Sequence, residues 1–78
     1  MKLEETGLTF EDIKEKVNKY MIETYERMDF LAESAKDQYI YNEKGEKYLD
    51  FYAGIAVNSA GSCNEKVVKA VVDQAQTL

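Results

Sequence analysis

Apolar positions in the first third of the chain recur at helical spacing. Phe10, Ile13, Val17, Tyr20, Met21, Thr24 and Met28 fall mostly three and four apart, which is the stripe of an amphipathic helix. Thr9 precedes the stripe as an N-cap, and Asp12 stands three residues on, a variant of the capping box. Leu8 and Ile13 occupy the two positions of a hydrophobic staple. The spacing predicts a helix over residues 10–25, with no glycine to close it.

The pattern then shifts towards strands. Tyr39, Ile40 and Tyr41 carry strong strand propensity. Residues 42–45 read as a turn in which Gly45 takes the positive φ of a short hairpin loop. Tyr48, Leu49, Phe51 and Tyr52 form the return strand, which gives a hairpin over residues 38–52. Residues 31–34 offer a short third strand. An isolated hairpin is marginal in water, so one face needs a helix or another surface over it.

After a neutral loop at residues 53–63, the helical period returns. Val67, Val68, Val71, Val72, Ala75 and Leu78 make one apolar face, with Lys66, Lys69, Asp73 and Gln76 largely away from it. This predicts a second helix over residues 65–78. Two starts fit it: Asn64 as N-cap with Glu65 at the first position, or Ser62 and Glu65 as a capping box. No stop signal follows, the pattern of a helix within a longer parent sequence. The expected fold is α+β in a single domain over residues 1–78: an N-terminal helix, a small antiparallel hairpin or three-stranded sheet, and a C-terminal helix.

Composition narrows what such a unit can do. Its 78 residues bury only about 60% of their unfolded surface in a compact fold. One cysteine precludes an internal disulfide, and no histidine accompanies it for a zinc site. Support is left to association. The net charge of −5 repels phosphate backbones, so no nucleic-acid partner is expected. No apolar run reaches the length of a signal peptide or a membrane span, which points to a cytoplasmic protein and no membrane partner.

Residues 51–64, FYAGIAVNSAGSCN, carry no charge in a chain that is 32% charged. Gly54 and Gly61 do not make a phosphate loop, because no Lys-Ser or Lys-Thr pair follows and no G-x-G-x-x-G occurs. Cys63 has no histidine to activate it and reads as a buried or half-buried thiol. Acidic pairs such as Glu4/Glu5 and Glu11/Asp12 fit solvated faces and helix starts. No catalytic, cofactor-binding or metal-ligating residue emerges. Small residues permit close approach, so the strip is an internal packing seam or one wall of a site completed by other sequence.

The span YIYNEKGEKYLDFYAGIAVNSAGSCNEKVVKAVVDQAQTL resembles the N-terminal segment of the class III pyridoxal-phosphate-dependent aminotransferases, on the acetylornithine and 4-aminobutyrate branch. The family pattern falls on Tyr39, Tyr41, Gly45, Tyr48, Leu49, Asp50, Phe51, Gly54, Ile55, Ala56, Val57, Gly61, Val67, Ala70, Gln74 and Leu78. Upstream, TYERMD is similar to the family's T-Y-x-R-x-P and places Tyr25 and Arg27. Asn42 stands where the family usually has Asp, Asp29 and Glu65 where it has Pro, and Ser62 where it has His.

The resemblance implies a piece of a fold-type I enzyme. It places Tyr25, Gly54, Ile55, Ala56 and Val57 on the substrate-pocket wall, with Gly54 leaving room for a longer or acylated substrate. It also implies pyridoxal phosphate as the cofactor of the intact enzyme. The cofactor lysine, the aspartate on the pyridine nitrogen and the phosphate loop of the family have no counterpart here. The chain is thus expected to bind no cofactor and to be inactive alone. Its apolar faces then await the remainder of the enzyme or a second copy, in a homo-oligomer with exchanged first helices. The alternative is a stand-alone, self-associating interaction module derived from such an enzyme.

Overall fold

A computed structural model describes residues 1–78. The chain runs α1 (Leu3–Thr6), α2 (Phe10–Tyr20), β1 (Ala32–Lys36), β2 (Tyr39–Asn42), β3 (Lys47–Leu49), α3 (Ala53–Ala56) and α4 (Glu65–Ala75). The three strands form one antiparallel sheet in the order β1-β2-β3. The fold is α+β, and the third strand at the sheet's edge is real.

The start of α2 follows its sequence closely. The Thr9 hydroxyl accepts from the Asp12 amide at 3.1 Å, and the Asp12 carboxylate accepts from the Thr9 amide at 2.8 Å. The helix stops at Tyr20, five residues short of the expected end, because Met21 is extended (φ −106°, ψ 141°). Residues 21–31 return along its flank instead, tied by Lys14 to Asp29 at 2.8 Å. Sequence reading missed α1, a single turn in which Glu5 accepts from the Lys2 amide at 2.7 Å.

Between Ala32 and Ser34 the β1–β2 register slips, leaving Glu33 as a bulge. Bulges re-aim side chains, and here the Glu33 carboxylate accepts from the Leu3 amide at 2.9 Å, joining α1 to the sheet. The β2–β3 connection turns on Asn42, the one buried residue, 7% exposed. Its side-chain oxygen accepts from the amides of Lys44 and Glu46, and its nitrogen donates to the Glu46 carboxylate at 2.6 Å. The expected Asp would set two carboxylates face to face there. The return strand ends at Leu49, so Phe51 and Tyr52 lie outside it.

The start of α4 is settled for Asn64, whose side chain accepts from the amides of Lys66 and Val67. The helix covers Glu65–Ala75 rather than reaching Leu78. Its apolar face meets no other element closely, and Val71 remains 62% exposed. No hydrophobic residue anywhere is fully buried.

The whole chain exposes 7008 Å², whereas a compact monomer of its mass exposes about 4,900 Å². Its radius of gyration is 14.8 Å against about 11.5 Å for a compact domain of this length. The surplus of roughly 2,100 Å² matches a substantial protein interface. The valine face of α4 anticipated in the sequence is present and uncovered, whereas Phe10, Ile13 and Val17 of α2 are half-buried beside the returning segment.

Candidate functional site

Both ends of the neutral strip are fastened to one place, the β1–β2 turn. At the near end the Asp50 amide donates to the Gln38 carbonyl at 2.8 Å. At the far end Asp37 and Ser62 exchange two backbone hydrogen bonds, of 2.9 and 2.8 Å. The strip between is therefore a compact surface loop with joined ends. Gly61 makes this closure feasible. It has φ +77°, and a Cβ there would stand 3.1 Å from the Asp37 backbone. A further bond, from the Asn58 side-chain amide to the Ser62 hydroxyl at 3.1 Å, braces the far end.

Inside the loop, α3 is a left-handed turn. Ala53, Gly54, Ile55 and Ala56 have φ of 51°, 60°, 67° and 59°. The amide of Ala56 donates to the Tyr52 carbonyl and that of Val57 to the Ala53 carbonyl. Left-handed helical geometry is disfavoured by about 1–2 kcal/mol per L-residue, and a β-branched residue in it is a true outlier. Three non-glycine residues thus store about 3–6 kcal/mol. The sequence-based expectation of a plain loop at residues 53–63 missed this turn.

Asp50 holds the entrance of the turn. One carboxylate oxygen accepts from the amides of Tyr52 and Ala53, at 3.0 and 2.8 Å. These amides have no partner within the turn, so the side chain acts as a cap. The turn displays its side chains outward: Ile55 is 73% and Val57 77% exposed, and the preceding Phe51 is 91% exposed.

Tyr25 stands apart from this loop. It lines a groove of about 580 Å³ between α2 and residues 21–31, together with Phe10, Ile13, Val17 and Met21. The Arg27 guanidinium lies 5.5 Å from the centre of its ring. None of residues 54–57 lines that groove. Within this chain the expected site residues therefore form two separate surfaces. Asp37, Gln38 and Asp50, which hold the loop, were missed as positioning groups. The only local signal was Asp50, whose carboxylate reaches amides two and three residues on. Cys63, expected to be at least half-buried, is exposed, and its carbonyl accepts from the Lys36 ammonium at 3.0 Å.

The three-stranded antiparallel sheet with its flanking helices matches a part of solved aminotransferase structures. The sequence pattern of the family described as aminotransferase class-III matches residues 20–78, and the chain belongs to that family. It is 45% identical over 60 residues to the acetylornithine aminotransferase of Methanocaldococcus jannaschii, covering 77% of this chain and 15% of that protein. It is 38% identical over 69 residues to the acetylornithine aminotransferase of Methanosarcina acetivorans, covering 88% of this chain and 18% of the relative. The structure superposes on the ornithine aminotransferase of Toxoplasma gondii ME49 with a TM-score of 0.80 and 28% identity, covering 91% of this chain and 17% of the other. The chain thus spans under a fifth of the length of the relatives it matches.

Proposed function

We propose that this chain is the substrate-wall segment of a cytoplasmic pyridoxal-phosphate-dependent aminotransferase. In the intact enzyme an amino group passes from an omega-amino acid or an acetylornithine-like donor to a 2-oxo acid. The observation that carries this reading is the neutral loop itself. It is fastened at both ends, strained in the middle, and presents Gly54, Ile55, Ala56 and Val57 outward with no charge among them. Strain of this kind clusters at ligand-contacting segments. Tyr25 contributes a second wall once the remainder of the enzyme joins the two surfaces.

The chain's own residues do not fit pyridoxal phosphate. A lysine that forms a Schiff base is desolvated and has a lowered pKa. No lysine here is buried, and the hydrogen bond from Lys14 to Asp29 raises the pKa of that lysine. The segment is inactive by itself and takes its cofactor lysine from the rest of the enzyme. Titrating the isolated chain with pyridoxal phosphate is expected to give no saturable absorbance change; a change that maps to a single lysine refutes this.

The wall is tested by grafting residues 20–78 in place of the matching segment of the M. jannaschii relative. In that protein Gly54→Tyr should raise KM for N-acetylornithine about tenfold by filling the space beside the wall. An unchanged KM refutes the assignment.

The uncovered surface supports the remainder of the enzyme as the partner of this segment. The same surplus favours a second reading, a self-associating module, in which a second copy covers these faces.

A further inference from the structure

The exposed side chains of α3 do not hold its strained backbone, since Ile55, Ala56 and Val57 face outward. The internal hydrogen bonds of a left-handed turn do not remove its steric cost. What remains is the attachment to the sheet. We infer that Asp50 is the positioning residue of the substrate wall, and that the Asp37–Gln38 turn is the anchor from which it works. This rests on the wall assignment proposed above.

The chain of contacts is short. Gln38 fixes the backbone of Asp50 through its carbonyl. The Asp50 carboxylate gathers the amides of Tyr52 and Ala53 on one oxygen and so sets the direction in which the turn begins. Asp37 receives the far end at Ser62, where only a glycine at position 61 allows the approach. Asp50 touches the wall's backbone rather than the reacting groups. Loosening it should disturb binding more than chemistry.

The test uses the grafted full-length enzyme, with Asp50→Ala, Asp50→Asn and Gly61→Ala. Asparagine keeps the accepting oxygen and removes the charge. Hydrogen exchange at the amides of residues 55–58 reports the turn, and steady-state kinetics with N-acetylornithine reports the wall. Asp50→Ala is expected to speed that exchange about tenfold and to raise KM by a similar factor with kcat within about twofold. Asp50→Asn restores both, and Gly61→Ala reproduces the exchange gain from the opposite end of the loop. Asp50→Ala with unchanged exchange overturns the inference, as does Asp50→Asn with exchange as fast as in the alanine variant. If alanine prevents assembly, Asp50→Glu, which moves the accepting oxygen by one methylene, replaces it: faster exchange at residues 55–58 sustains the inference and unchanged exchange overturns it. Faster exchange with KM unmoved upholds Asp50 as the anchor of the turn and refutes the wall assignment instead.

Discussion

Gly45 and Gly61 adopt nearly the same backbone conformation, φ +78° and +77°, in different surroundings. Nothing lies within 4 Å of a Cβ at Gly45, while one at Gly61 meets the Asp37 backbone. Gly45→Ala should therefore cost only the conformational penalty, about 1 kcal/mol. Gly61→Ala should cost that plus about 1–3 kcal/mol of overpacking. Urea unfolding of the grafted enzyme measures both, and equal losses would show that the closure at Asp37 contributes nothing. Asn42 offers a second residue-scale test. Asn42→Asp removes the donor to Glu46 and sets two carboxylates together, with an expected loss of about 1–3 kcal/mol near neutral pH. Mutual repulsion raises the pKa values of the two acids, so the loss should shrink as the pH falls and one of them takes up a proton. A loss that persists unchanged at pH 5 refutes this account. The identity of Asn42 was plain in the sequence as a departure from the family; its partner was not, because the pairing depends on how the hairpin closes.

At the scale of elements, α2 depends on its first turn. Hydrogen bonds from the Thr9 backbone, then from its hydroxyl, hold the Asp12 carboxyl below the usual aspartate range. A depressed carboxyl stabilises the folded form above its unfolded pKa and loses that contribution as pH falls through the folded value. The start of α2 should therefore fray below about pH 4, seen as accelerated exchange or shifted resonances at Thr9 and Asp12. Thr9→Ala should weaken the pH dependence without abolishing it, because the bond from the residue-9 amide to Asp12 survives, and should cost about 1 kcal/mol. A fraying midpoint at the ordinary aspartate value would contradict the capping geometry. Most of α2 could be read from spacing and caps. Its C-terminus could not, since the sequence stripe continues through Met28 while the backbone leaves the helix at Met21 and doubles back along its flank. Apolar spacing looks alike whether residues sit on one helix or on a helix and the segment folded against it.

At the scale of the whole molecule, several apolar faces lie uncovered. The valine face of α4, the tip of α3 and the outer face of β3 are all exposed. Burying the surplus surface would bring a stabilisation that the chain by itself lacks. The isolated chain should self-associate, and light scattering at high micromolar concentration should return a mass above 9.0 kDa. A monomer under those conditions refutes self-association.

Local chemistry determined much of this protein. Thr9 with Asp12 and the Asn-to-Gly turn before Tyr48 act within a few residues, so their outcomes were written in the order of the amino acids. The cap of α4 was local too, but the choice of Asn64 over Ser62 fell to the structure, where Ser62 pairs with Asp37. The neutral composition of the loop was equally visible. What only the tertiary structure decided was its shape. Asp37 and Gln38 meet Asp50 and Ser62 across separations of twelve residues or more, and it is this meeting that closes the loop and anchors a left-handed turn which local preference opposes. Ala-Gly-Ile-Ala has no intrinsic tendency to take that form. The local cap from Asp50 sets its start, but the long-range hydrogen bonds that fix the loop's two ends are encoded by no spacing in the sequence.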